Sequence, residues 1–285
     1  MVKANFRRSF FQSVGRLRPG EFFMDFGIAD KKAVVLASSR GLGAGIAEAL
    51  AREGAHVLLC GRTEDRLATN CKVINETTPG KADYIVADIA AESFVEDLLS
   101  AIKAKLGGAD ILVNNSGGPT PGTVAEMNPE KLDGFFRSMV APIITLTNAL
   151  VPQMKEKGWG RIVTVASSGV VEPIPNLALS NTLRSALVGW NKTLSSEVAS
   201  SGITANMLLP GRIHTDRIDE LDHANAERSG RSLAEVRKAT LSTIPAGRLG
   251  RVEEFASIAV FLCSRQASYL TGSLIRCDGG ATHAI

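Results

Sequence analysis

Apolar residues gather in seven short runs, at 33–37, 56–60, 83–87, 111–114, 161–165, 204–209 and 273–277. Each run is too short for a helix and almost continuously apolar, the pattern of a strand covered on both faces. Between them, apolar positions recur at helical spacing near 42–53, 64–76, 91–106, 129–157, 177–200 and 251–264; in the first, Leu42, Ile46, Ala47, Leu50 and Ala51 share one face. Strands alternating with helices imply right-handed crossovers. The pattern therefore predicts one α/β domain, a doubly wound seven-stranded parallel sheet with helices on both faces. The stretch 214–251 lacks a strand, is mixed in charge and follows a strand's carboxyl end, where open α/β sheets bind ligands. It is expected to be a substrate lid.

The first crossover, 33–54, reads strand, turn, helix. Gly41 and Gly43 let the backbone approach a pyrophosphate, and the helix start offers unpaired N–H groups and the positive end of a dipole. This is the phosphate-binding unit of a Rossmann-type domain. A tight turn alone would show the same glycines, so support must come from downstream.

At 285 residues and 45% hydrophobic content, the chain can bury a full core as one domain. Residues 1–23 carry Lys3, Arg7, Arg8, Arg16 and Arg18 against Glu21 alone, which concentrates the net charge of +3 in a basic N-terminal extension. Such an arm reads as a targeting peptide or as an over-long start with Met24 as the natural one. The remainder, 24–285, is near neutral and gives no sign of nucleic-acid binding. No run approaches about 18 apolar residues, so no membrane span is expected and a cytoplasmic location is inferred. Cys60, Cys71, Cys263 and Cys277 lack CxxC spacing and neighbouring histidines, which favours free buried thiols over metal ligands or disulfides. Trp159 and Trp190 read as packing residues.

Ala37-x-x-x-Gly41-x-Gly43, Asp88, Asn114-Asn115-Ser116-Gly117, Ser167, Pro210-Gly211-x-Ile213-x-Thr215 and Asp278-Gly279-Gly280 follow one another in an order and spacing that resemble the short-chain dehydrogenase/reductase family, from about residue 28 to the end. The resemblance implies that Ser39, Arg40, Gly41, Leu42 and Gly43 hold the pyrophosphate side of a dinucleotide. Asp88 and Ile89 would flank adenine, Asn115 with Gly117 would line the ribose, Ile213 and Thr215 would hold the nicotinamide carboxamide, and Ser116, Pro210 and Gly211 complete the cofactor-binding set. The Asp278 segment resembles one that makes subunit contacts in the family, so a homo-oligomer, dimer or tetramer, is expected. NAD would call for an acidic residue about 20 positions past the glycine turn, but Gly61-Arg62-Thr63 stands there. With Arg40 inside the turn, Arg62 and Thr63 favour a 2′-phosphate, hence NADP(H). The alternative is that both arginines are solvated. Leu36-Ala37 occupy positions usually Thr-Gly, and Ala37 is expected to fit only at negative φ.

The catalytic positions depart from the family. Ser167 takes the usual serine place. Ser180 stands at the tyrosine position, Arg184 at the lysine position and Met139 at the asparagine position. A phenol of pKa near 10 exchanges a proton with a substrate oxygen; an aliphatic hydroxyl is a far weaker acid, and guanidinium does not give up its proton. Tyr84, near the adenine edge, and Tyr269, near the C-terminus, are the chain's two tyrosines and are poorly placed to substitute. Ser180 and Asn181 remain to orient a carbonyl or a water. His214, between Ile213 and Thr215, is a candidate acid or else a surface histidine at a loop start. Arg184 either holds the nicotinamide ribose or joins Arg212 in binding a carboxylate or phosphorylated carrier.

Two functions follow. One is an atypical NADP(H)-dependent oxidoreductase acting on a small carbonyl/alcohol pair, 3-oxoacyl-reductase-like, with Ser167 polarising the carbonyl. The other is a cofactor-binding regulatory or partner subunit without redox turnover, while lyase or epimerase chemistry is a third, weaker reading.

Overall fold

The computed structural model describes residues 25–284; the basic extension 1–23 and the alternative start at Met24 lie outside them. Seven parallel strands, β1 (Lys32–Val35), β2 (His56–Gly61), β3 (Lys81–Val86), β4 (Ile111–Asn114), β5 (Gly160–Val165), β6 (Ile203–Pro210) and β7 (Leu274–Cys277), form one sheet in the order β3-β2-β1-β4-β5-β6-β7. The helices are α1 (Gly41–Arg52), α2 (Glu64–Thr77), α3 (Phe94–Ala101), α4 (Pro129–Met139), α5 (Ala141–Lys157), α6 (Ala178–Val198), α7 (Asp216–Ser229), α8 (Leu233–Ser242) and α9 (Val252–Cys263).

Period-two alternation builds two cores from one sheet. Ala33 and Val35 of β1 pack with Ile46, Leu50, Leu67 and Phe255, beneath α1, α2 and α9. Val34 and Leu36 pack on the opposite face with Phe94, Leu98, Leu146 and Leu194, beneath α3, α5 and α6. A third cluster, Met139, Ile143, Leu183, Leu187, Met207 and Leu209, joins α4, α5 and α6 to β6. The sheet reverses its winding between β1 and β4, so a crevice opens at their carboxyl ends.

Two features differ from the expectation. The helix expected over 129–157 breaks at Val140 into α4 and α5, because Pro142 supplies no N–H to the preceding turn and its ring crowds that turn's carbonyl. Pro129–Lys157 passes a test of length and mean composition for a bilayer-crossing helix, as core helices of soluble proteins also do, although it holds no unbroken run of about 18 apolar residues. Its apolar positions Ile143, Leu146, Leu150 and Met154 are instead buried in the protein core. The stretch 214–251 folds largely as α7 and α8. The start of α8 is a capping box in which Ser232 and Glu235 satisfy each other's backbone N–H groups.

The four cysteines are free, and burial pushes the Cys60 and Cys263 thiols up to about 12. Trp159 packs between cations, with Lys31 Nζ 4.3 Å and Arg161 Cζ 4.5 Å from its ring centre. Arg161 is fully buried on β5. Its Nε donates to Ser264 O at 3.0 Å and its Nη1 to Gly160 O at 2.8 Å and Gly202 O at 3.1 Å. Arg161→Met leaves these carbonyls without their donor and is expected to destabilise the domain by about 3 kcal/mol, read from urea unfolding.

Candidate active site

The phosphate-binding turn is built as the glycines require. Gly41 has φ +60. A Cβ on Gly43 would collide with Ala37 O and lie 2.9 Å from Asn115 Nδ2. The N-cap Arg40 makes no side-chain cap, so the first amides of α1 are open to an anion. Ser38 fixes the turn from below: its Oγ donates to Val35 O at 2.8 Å and accepts from Cys60 N at 2.9 Å. Ala37 departs from the expectation of negative φ, lying at +47 in the left-handed region. There an L-residue is strained, and Ala37→Gly is expected to raise stability by roughly 0.5–1 kcal/mol, since relief of strain exceeds the added chain entropy. A thermal melt checks this. The neighbouring hydrogen bonds of Ser38 hold Ala37 in the conformation that a glycine would take.

Around this cradle, Asn115 donates Nδ2 to Ala37 O at 3.4 Å, tying the end of β4 to the turn. Gly117 has no neighbour within 4 Å of an added Cβ and faces open space. Asp88 accepts from Ala90 N at 3.0 Å, and its other oxygen lies 3.8 Å from Arg62 Nη1. Arg62 is 77% exposed and spans from the end of β2 to Asp88. Ile89 packs against both cores on that side of the sheet. Thr63 is the N-cap of α2 and makes no side-chain cap, leaving its hydroxyl available. Pro210 closes β6, and Gly211 donates its N–H to Cys277 O at 2.9 Å; a Cβ there would lie 2.6 Å from Asp278 Cα. Ile213 is buried and bridged to Gly250, with His214 N donating to Gly250 O at 2.8 Å. Thr215 Oγ1 lies 3.4 Å from Ile213 O. These residues fit a dinucleotide: the glycine approach, the open helix amides and the buried main chain beside Thr215 are what such a ligand needs.

At the positions that the sequence reading assigns to catalysis, Ser167 follows β5 and its Oγ accepts from Gly169 N at 3.1 Å. That bond fixes the rotamer and leaves the O–H to donate. Ser180 is buried in the first turn of α6. Arg184, one turn on, donates Nη1 to Val165 O at 3.0 Å and Nη2 to Ser116 O at 3.4 Å, so it braces the strand ends on both sides of β4 and β5. Burial, and then the charge of Arg217, pull its guanidinium down to about 10. It remains cationic at neutral pH. The loop after β4 crosses to this helix: Gly122 N donates to Asn176 O at 2.7 Å, and Ala178 N to Gly122 O at 3.1 Å. A cavity of about 110 Å³ lies between that loop and Leu179.

Asn181 stays beside that centre, its Oδ1 and Ser167 Oγ both bordering Gly169, while its Nδ2 donates to Ile174 O at 3.0 Å and binds it to the loop before α6. Other candidates are placed away from it. Arg212 is held by the buried Asp222 at 2.7 Å rather than paired with Arg184. His214 is 67% exposed, with Nε2 3.9 Å from Asp219. Tyr84 Oη reaches Glu64 at 3.4 Å and Tyr269 is fully exposed, so both lie elsewhere. Met139 is buried in the α4–α5 core. Sequence reading missed Arg66, which meets Arg40 at a shared carboxylate, and Arg217, which donates to Pro119 O at 3.1 Å. Neither carries a local signal; their partners lie far away along the chain.

The family model described as Enoyl-(Acyl carrier protein) reductase matches residues 36–282. The 3-oxoacyl-(acyl-carrier-protein) reductase FabG of Salmonella typhimurium is 33% identical over 252 residues, 88% of this chain and 96% of that protein. The L-sorbose reductase of Gluconobacter frateurii, solved with NADPH and L-sorbose, aligns with a TM-score of 0.86 and 33% identity over 92% of this chain and 100% of that one. YwfH, an NADPH-dependent reductase involved in bacilysin biosynthesis, aligns with a TM-score of 0.86 and 28% identity over 90% of this chain and 100% of its own. The chain belongs to the short-chain dehydrogenase/reductase family, and these relatives are oxidoreductases.

Proposed function

We propose that the protein is an NADP(H)-dependent oxidoreductase of a carbonyl/alcohol pair, 3-oxoacyl-reductase-like, with a catalytic centre that works without the family's tyrosine. The observation that carries this reading is Ser167, its hydroxyl held by Gly169 N–H at the carboxyl end of β5, on the same sheet edge as the glycine turn that follows β1. We place it in the cytoplasm as a homo-oligomer, dimer or tetramer, with α7 and α8 as the substrate lid.

The bound dinucleotide would supply hydride to a carbonyl carbon or accept it from an alcohol. Gly41, Gly43 and the open amides of α1 would hold its pyrophosphate, Asn115 and Gly117 its ribose, and Ile213 and Thr215 its carboxamide. Ser167 donates its O–H to the substrate oxygen and stabilises the charge that develops there. Ser180 orients a water that relays to the substrate oxygen a proton drawn from bulk solvent, because neither the serine hydroxyl nor the water is a strong enough acid to end the reaction deprotonated. Arg184 stays protonated, lowers the cost of negative charge on the reacting oxygen and keeps Val165 and Ser116 in register. Positioning and electrostatics supply much of such a rate, which is why loss of the phenol does not by itself end catalysis.

His214 stands outside this sequence of steps. With its ring exposed against Asp219, His214→Asn is expected to change turnover by less than about threefold, whereas a general acid contributes about 10²–10⁴. Steady-state turnover across pH distinguishes these outcomes.

The second reading, a redox-inactive NADP(H)-binding subunit, draws on the replaced residues Ser180 and Arg184. A screen of NADPH oxidation over ketones, ketoses, 2-keto acids and 3-oxoacyl thioesters decides. Turnover on one class supports the enzyme; tight NADPH binding with no turnover on any class supports the second reading.

A further inference from the structure

We infer that Asp216 is a cofactor-discriminating residue: its carboxylate stands between Arg40 and Arg66 as an internal anion that the 2′-phosphate of NADP(H) must displace. The inference rests on the NADP(H) reading above and assigns Arg66 to the same anion site.

One carboxylate oxygen carries the geometry. Asp216 Oδ2 accepts from Arg40 Nη1 at 3.1 Å and from Arg66 Nη1 at 3.5 Å. These guanidiniums come from different elements, the N-cap of α1 and the first turn of α2, and the carboxylate comes from the first turn of α7. The charges continue in a chain. Arg40 Nη2 meets Glu220 at 3.3 Å, and the other oxygen of Glu220 meets Arg217 at 3.3 Å. Three cations therefore share two carboxylates through direct ion pairs, with a third carboxylate, Asp65, near Arg40 and Arg66 but paired with neither.

The place is right for a phosphate on the adenosine ribose. A cavity of about 360 Å³ is lined by Ser39, Arg40, Arg66, Thr69 and Asn70, with Asp65 at its wall. It adjoins the end of β2, where Gly61 would bring a Cβ 3.2 Å from Ser39 Oγ. Dinucleotide folds read the ribose 2′ position near this strand end. Asn70 steadies the turn by donating Nδ2 to Ser38 O at 3.3 Å and Ser39 O at 3.2 Å. Arg62, 77% exposed and 3.8 Å from Asp88, stands on the other side of the strand end and can turn to the same anion. Arg40 and Arg66 are thus a pair able to fork onto a dianion, and Asp216 is the group already on them.

The consequence is selective. A 2′-hydroxyl cannot replace a carboxylate on two guanidiniums, so NADH leaves the contacts of Asp216 in place. A 2′-phosphate can replace it, at the cost of breaking them. Asp216 therefore lowers NADPH affinity without lowering that of NADH, and it does so most at low ionic strength, where exposed ion pairs are least screened.

The test is titration of NADPH and NADH by fluorescence against the full chain, Asp216→Asn, Arg66→Gln and the double variant, at low and high salt. Asp216→Asn should tighten NADPH about fivefold with NADH unchanged, an effect that shrinks with added salt. Arg66→Gln should weaken NADPH several-fold and spare NADH, and in its background the gain from Asp216→Asn should fall away. Equal tightening of both cofactors would mean a general field rather than competition at one phosphate, and would overturn the inference; so would weaker NADPH binding in Asp216→Asn. A parent chain that binds both cofactors alike would instead overturn the NADP(H) reading on which it rests.

Discussion

Gly43→Ala is expected to weaken NADPH binding at least about 100-fold, equivalent to nearly 3 kcal/mol of binding free energy. The added methyl collides with Ala37 O and crowds Asn115 Nδ2, the two groups that join the turn to the end of β4. Neither is the flexible end of a long side chain, so the turn must open and the α1 amides lose their common aim. Overpacking of this kind costs about 1–3 kcal/mol in stability, a fall of several degrees in melting temperature that leaves the domain folded. Fluorescence titration beside circular dichroism separates the two effects. Near-native affinity in the folded variant would remove this turn as the dinucleotide site.

Ser167→Ala should cut turnover by about 10²–10³, the usual loss of one hydrogen-bond donor to a developing oxyanion. NADPH affinity should stay within about twofold, because the role proposed for Ser167 is a contact to the substrate oxygen and not to the cofactor. The variant also loses the cap on the short turn Ser168–Val170, where Gly169 N now donates to Ser167 Oγ. Ser167→Thr keeps that cap and a hydroxyl, so partial recovery in threonine and none in alanine would locate the effect in the O–H. Steady-state kinetics on whichever carbonyl class shows turnover provides the measurement. Equal activity in all three forms would exclude Ser167 from the reaction.

Much of this architecture is legible from periodicity. The run 33–37, the two glycines and the face Ile46, Ala47, Leu50 contain a strand, a tight turn and a helix, because backbone conformation and local burial act over a few residues. The structure shows β1 and α1 there, displaced by one or two residues. The break at Val140 was also readable, since Pro142 declares it chemically, and so was the start of α8 in Ser232-x-x-Glu235. A longer apolar pattern over 129–157 masks the first, and the lack of strands in 214–251 masks the second.

Side-chain direction was less accessible. Arg161 sits in a run that reads as apolar strand, yet its guanidinium is buried among carbonyls from 160, 202 and 264. Arg212 looks free beside Ile213 until α7 brings Asp222 beneath it, and Asn181 looks available until Ile174 folds back onto it.

The sequence by itself determined the strand and helix alternation, the glycine turn between the first strand and helix, and the presence of Ser180 where the family resemblance expects a tyrosine, because each depends on residues adjacent or one turn apart. The tertiary structure alone decided which charges meet. Asp216 reaches Arg40 across 176 positions and Arg66 across 150, and Arg184 reaches Ser116 across 68. Coulomb attraction and hydrogen bonding act over a few ångströms in space, whatever the separation along the chain, so only the folded sheet and its crossovers could bring those partners together.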